Sequence, residues 1–141
     1  MVKRNIYWQK YVDKIYKRVH NYIIDNSDLT YAHDGRNPTI YVSDTCGSDT
    51  AGQVWCGSND INIELSSWIL VDKKQTQSVI RHELAHVIVY LCGLGGGNHG
   101  RGFTQALKLT APKTFRRDRH WYDTSAIYRE RKKHHPKTQL G

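Results

Sequence analysis

Residues 73–92 read KKQTQSVIRHELAHVIVYLC, and residues 93–103 continue GLGGGNHGRGF. The first stretch predicts a long helix. Ile80, Leu84, Val87 and Leu91 recur at spacings that place them on one face. Asp72 with Gln75 three residues later resembles a capping box, and Gly93 supplies a C-terminal stop. Val79, Val89 and Tyr90 add apolar groups elsewhere on the surface, so the helix is greasy nearly all round. Such a helix is expected in the middle of a domain. Yet it carries His82, Glu83 and His86, and buried polar groups of this kind need partners.

A metal ion is one such partner. His82-Glu83-Leu84-Ala85-His86 is an HExxH pattern, and residues i and i+4 of a helix point the same way. Two imidazoles then stand side by side for one Zn²⁺. Glu83 follows the first ligand and sits close enough to take a proton from a water on the metal. His99 lies just beyond a run of glycines, which let the chain turn sharply and bring that ring back over the helix. Other third ligands fit less well. The metzincin spacing would need Gly and His where this chain has Val89 and Cys92. A downstream glutamate is available only as Glu130, in a basic tail. Cys92 falls off the His82/His86 face and reads as packing. Three ligands leave a coordination position open, which favours a catalytic over a structural zinc.

Upstream, residues 5–26 read as an amphipathic helix capped by Asn5. Its apolar positions are Ile6, Tyr11, Ile15, Val19, Tyr22 and Ile23, with Lys10, Lys14, Lys17 and Arg18 between them. A turn-rich stretch runs from Asp25 to Pro38. Three short β-like runs follow: Thr39–Ser43, Gln53–Cys56 and Ile61–Leu65, the last alternating cleanly. Their spacing predicts a small three-stranded antiparallel sheet. After the central helix a short one is expected from Gly102 to Leu109, before Pro112. The predicted class is α+β: N-terminal helix, sheet, buried HExxH helix, short helix, basic C-terminal region.

The chain has 141 residues, which suits one domain. It holds 21 Lys and Arg against 13 Asp and Glu, a formal net charge of +8. That surplus favours polyanionic partners, because neutralised phosphates release counterions. Cys46, Cys56 and Cys92 form no paired framework and no CxxC, so reduced thiols and an intracellular setting are expected. No apolar run is long enough to span a bilayer. MVKRNIYWQK lacks the apolar core of a signal peptide. Trp55, Trp68 and Trp121 are expected to pack in the core.

The run HELAHVIVYLCGLGGGNHGRGF resembles the SprT-like metalloproteases, the Spartan type. These show HExxH, a variable stretch, then His followed by Gly and, three residues later, Phe. His99, Gly100 and Phe103 fit, and AGQVWC (51–56) and INIELS (61–66) look like the family's strands. The resemblance implies a zincin-like domain over residues 1–112, with His82, His86 and His99 as zinc ligands and Glu83 as the base. It implies a zinc-dependent endopeptidase acting on DNA-bound or DNA-crosslinked proteins, single-stranded DNA included among its partners. The cysteine zinc ribbon that many relatives append is absent here. Residues 113–141 form a basic, partly disordered extension in this reading, and Arg116, Arg117, Arg119, Arg129, Arg131, Lys132 and Lys133 would contact DNA in its place. His120 or Tyr122 is the candidate oxyanion partner. A monomer in the cytoplasm, associated with the nucleoid, is expected. The alternatives are a metalloprotease for one free protein and a non-catalytic zinc module that binds nucleic acid.

Overall fold

The structure, a computed structural model, describes residues 2–26, 37–43, 51–57, 60–71, 73–97 and 99–110. In chain order these form β1 (Val2–Arg4), α1 (Ile6–Asp25), β2 (Thr39–Ser43), β3 (Gly52–Cys56) and β4 (Ile61–Ser66). A 3₁₀ turn (Ser67–Val71), α2 (Lys73–Cys92) and α3 (Arg101–Thr110) follow. The fold is α+β, as the sequence predicts. Asp72, Cys46 and everything from residue 111 onward lie outside the described residues. No described helix is long and apolar enough to cross a membrane.

Asn5 starts α1 as expected: its side-chain oxygen accepts from the Trp8 backbone N–H at 3.0 Å, satisfying one otherwise orphaned donor. The buried stripe of α1, however, is Trp8, Val12, Ile15, Tyr16, Val19 and Ile23. Ile6 and Tyr22, expected on that stripe, are exposed. They lie outside the arc that Val12, Ile15 and Val19 define at roughly 100° per residue, and that arc is the one turned to the core.

The sheet has the strand order β1-β2-β4-β3. It differs from the expected antiparallel triplet in two ways. β1 adds a short antiparallel edge to β2, from a segment too short to show a period. β2 then pairs with β4 in parallel, while β3 and β4 form the expected antiparallel hairpin. This register sets Ile40 opposite Ile63 and Val42 opposite Leu65, making β4 an inner strand. Ile40, Ile63 and Leu65 are fully buried. Strand periodicity reports which face is buried, whereas neighbours are chosen by where apolar rows meet. The same alternation turns Val54 toward the core and Trp55 away from it. Trp55, expected to be packed, is therefore 59% exposed. The side chain of Trp68 is not among those described, and Trp121 lies outside the described residues.

One core joins α1, one face of the sheet, α2 and α3. Val79, Ile80, Leu84, Ala85, Val87, Ile88 and Cys92 of α2 are buried. The helix is thus central, and Cys92 serves packing as predicted. Thr76 at its start donates to the Ile69 carbonyl at 2.7 Å, tying α2 to the 3₁₀ turn. Buried Gln9 clamps α1 to β2. Its amide nitrogen donates to the Pro38 carbonyl at 2.9 Å and to Asp13 at 2.8 Å, and its oxygen accepts from the Ile40 N–H at 3.0 Å.

Removing that amide strands a buried N–H and a buried carbonyl. Gln9→Ala is expected to lower folding stability by roughly 2–4 kcal/mol, since each unsatisfied buried group costs about 1–3 kcal/mol. Chemical denaturation of the metal-loaded protein tests this; a variant within about 0.5 kcal/mol of the parent would show the clamp to be dispensable.

Candidate metal centre

Helical spacing sets His82 and His86 side by side on α2, with ring centroids 5.0 Å apart. The third ring comes from beyond the helix end. Gly93 adopts φ +61° and the Leu94 N–H bonds back to the Val89 carbonyl at 3.1 Å, which is a Schellman stop. Leu94 and Val89 both pack on the core, completing that motif. The chain then reverses through Gly96 and Gly97, both at positive φ, to His99 at φ +58°. A histidine tolerates this region better than bulkier residues do. The turn is pinned against the start of α3: the Gly102 N–H donates to the Gly95 carbonyl at 2.9 Å. A side chain at Gly102 would overlap that same carbonyl oxygen, so the close approach requires glycine there.

The outcome is three imidazoles aimed at one point. Their Nε2 atoms lie 3.3 Å apart for His82 and His86, 3.2 Å for His86 and His99, and 3.1 Å for His99 and His82. Hydrogen bonding cannot satisfy this triangle. A neutral ring nitrogen is either donor or acceptor, so among three at least two are alike and their contact is repulsive. A cation resolves the conflict by accepting a lone pair from all three. Tetrahedral Zn²⁺ with nitrogen at about 2.05 Å would hold neighbouring donors about 3.3 Å apart, close to what is seen. Among the described residues, His82, His86 and His99 form the cluster able to hold a metal ion.

The surroundings favour neutral rings. Burial, and then the neighbouring His86 and His99, push the His82 pKa down to about 3. Burial followed by His99 lowers that of His86. Neutral imidazole is the ligating form, so protons compete weakly for these sites. Glu83 follows His82 directly and is 6% exposed. Burial raises its pKa to about 8.

Phe103, in the first turn of α3, has no role that the sequence pattern by itself assigns. Its ring centroid lies 4.8 Å from that of His82, 4.7 Å from His86 and 4.9 Å from His99. It is buried. One aromatic ring therefore packs on all three imidazoles and restricts their rotation. The one signal in the sequence is an aromatic four residues past His99 on an amphipathic turn. Arg116, Arg117, Arg119, Arg129, Arg131, Lys132, Lys133, His120, Tyr122 and Glu130 lie outside the described residues.

A buried HExxH helix, a glycine turn returning a third histidine, and a preceding small sheet define the site of a zincin-type α+β domain. Comparison with known proteins agrees: residues 12–119 match the SprT-like family, and the chain belongs to it. No curated protein and no solved structure matches the chain.

The packing of Phe103 on the ligands is open to direct test. Phe103→Leu keeps an apolar side chain but gives up the flat ring against the imidazoles. It is expected to fold and to bind Zn²⁺ about tenfold more weakly, as read by competition with a chelating dye. Affinity within about twofold of the parent would make Phe103 a packing residue only.

A further prediction concerns pH in the metal-free protein. His82 is neutral when folded and charged when unfolded below 6.5, so its contribution is present above 6.5 and is lost as pH falls toward about 3. Glu83 acts in the opposite sense. Folded, it keeps a proton that the unfolded chain releases above 4.5, so stability falls as pH rises toward about 8. Between 4.5 and 6.5 the two oppose each other, and His86 adds to the acid limb. Stability is expected to peak near pH 6.5. Glu83→Gln should remove the alkaline decline and leave the acid one, which thermal melts of chelator-treated protein would reveal. An unchanged alkaline limb would refute the assignment to Glu83.

Proposed function

We propose that this protein is a zinc-dependent endopeptidase that cleaves proteins bound or crosslinked to DNA. The observation that carries the reading is the convergence of three Nε2 atoms within 3.3 Å beside the buried Glu83. Membership of the SprT-like family supports zinc and peptide hydrolysis. His82, His86 and His99 would hold the ion. Zinc, when bound, supplies Lewis acidity that acidifies a water and polarises a carbonyl. Three imidazole donors leave the fourth tetrahedral position free for this, unlike a closed structural site.

The remaining work falls to the protein. Glu83 takes a proton from the attacking water and passes it to the nitrogen of the departing amine, so that water is added across the C–N bond. A dication at the histidines opposes the effect of burial and favours the carboxylate form that this role needs. Phe103 holds the imidazoles in place. β3 is the outer strand next to α2 and leaves one edge unpaired among the described residues. An extended substrate segment could add to that edge, with the exposed Trp55 offering apolar contact. A net charge of +8 suits a substrate presented on DNA, in the cytoplasm or on the nucleoid.

The decisive experiment incubates the zinc-loaded protein with a basic DNA-binding protein, with and without single-stranded DNA. The expected result is cleavage stimulated by DNA and lost in Glu83→Gln, which should still bind zinc. The rate should fall by at least about a hundredfold, as loss of general base catalysis does. Equal cleavage without DNA would point to a peptidase for free proteins. Tight zinc and DNA binding with no cleavage by either form would leave a non-catalytic zinc module.

A further inference from the structure

α2 is buried on most sides, and the side it leaves open is the one that carries the metal ligands. Of its side chains described between Thr76 and Cys92, that of Tyr90 alone is exposed, at 54%. Tyr90 follows His86 by four residues, as His86 follows His82, so the three stand in one row along the helix. Neighbours at this spacing have their Cβ atoms about 5–6 Å apart. The Cα–Cβ bond of a helical residue tilts toward the N-terminus, which leans Tyr90 toward the turn of His86. Tyr7, another exposed tyrosine, is met by Trp8 and by the Lys73 ammonium. No hydrogen bond or ring contact among the described residues engages Tyr90.

The flank on which Tyr90 stands is also fixed. Val79 faces β3, since a side chain placed at Gly52 would meet it. Eleven residues, at roughly 100° each, return a helix to within about 20° of the same bearing. Tyr90 therefore lies between the ligand row and the side of α2 turned to β3, whose free edge suits an extended substrate. The charges around it are one-sided. Between Lys73 and Thr110 the sole carboxylate is Glu83, which is buried. Arg101, two residues past His99, is exposed. A cationic side chain entering here meets a metal dication and a guanidinium with no exposed carboxylate from these elements to offset them.

We propose that Tyr90 forms one wall of a substrate subsite beside the metal, which takes an apolar or aromatic side chain of a residue flanking the scissile bond. The flat ring offers such a side chain a surface that is otherwise left in water. The proposal rests on the peptidase reading for its purpose, but the subsite is measured without turnover.

The test titrates the full-length zinc-loaded chain with N-acetylated amino-acid hydroxamates, which chelate zinc and differ only in their side chain. The phenylalanine and leucine probes should bind about tenfold more tightly than the glycine probe, and the lysine probe no more tightly than glycine. In Tyr90→Ala this gap should shrink to within about twofold, with the glycine probe and zinc itself bound as in the parent. Tyr90→Phe, which keeps the ring, should keep the gap. So should Tyr22→Ala, which removes an exposed tyrosine from α1. The proposal is overturned if the parent shows no gap, if the gap survives Tyr90→Ala or is lost in Tyr90→Phe or Tyr22→Ala, if the lysine probe matches the phenylalanine probe, or if Tyr90→Ala weakens the glycine probe equally. If the gap follows Tyr90 while the parent cleaves no protein, the subsite stands and the peptidase reading falls. If protein is cleaved but the gap ignores Tyr90, the reverse holds.

Discussion

Three imidazole nitrogens held 3.1–3.3 Å apart are the constraint on which the rest of the molecule depends. They repel or mismatch one another unless a cation joins them, so the fold must supply the elements that bring them together. That demand explains three separate features. α2 is buried on most sides, which fixes the phase of His82 and His86. The glycine turn gives up backbone entropy to bring back His99. α3 begins at once after the turn, setting Phe103 on all three rings. Zinc bound there would add to folding stability, because the unfolded chain offers no such site.

Burial does two jobs in the same few residues. It keeps His82 and His86 neutral, hence able to ligate, and it raises Glu83 toward neutrality. Both follow from taking charge out of water, but their signs differ because one group is charged by gaining a proton and the other by losing it. A bound dication relieves the glutamate and leaves the imidazoles neutral. The site is thus built so that the metal supports the ionisation states that its chemistry uses.

α1 serves the domain with one side and faces solvent with the other. Its inner stripe, with the Gln9 clamp, positions the sheet, and Arg18 reaches the Thr110 carbonyl at 3.5 Å at the end of α3. Its outer side carries Lys10, Lys14 and Lys17 in one exposed row.

Much of this was legible in the residues. The bounds of α2, the stop at Gly93, the cap at Asn5, the packing of Cys92 and the return of His99 toward the helix all follow from local rules: helical period, left-handed glycine, side-chain reach. What those rules cannot see is which element lies beside which. The parallel pairing of β2 with β4 was hidden, because a strand's period names its faces but not its neighbours. The exposure of Ile6, Tyr22 and Trp55 was hidden for the same reason, since apolarity does not say which arc of a helix or side of a strand the core will take. The role of Phe103 depends on how α3 packs on α2, a contact made across a turn whose path only the assembled structure decides. Sequence determined that His82 and His86 share one helix face beside Glu83, because their spacing acts through the backbone of one element. Tertiary structure decided the ring beneath them, the sheet order and the solvent face of α1, because those depend on surfaces meeting across the chain.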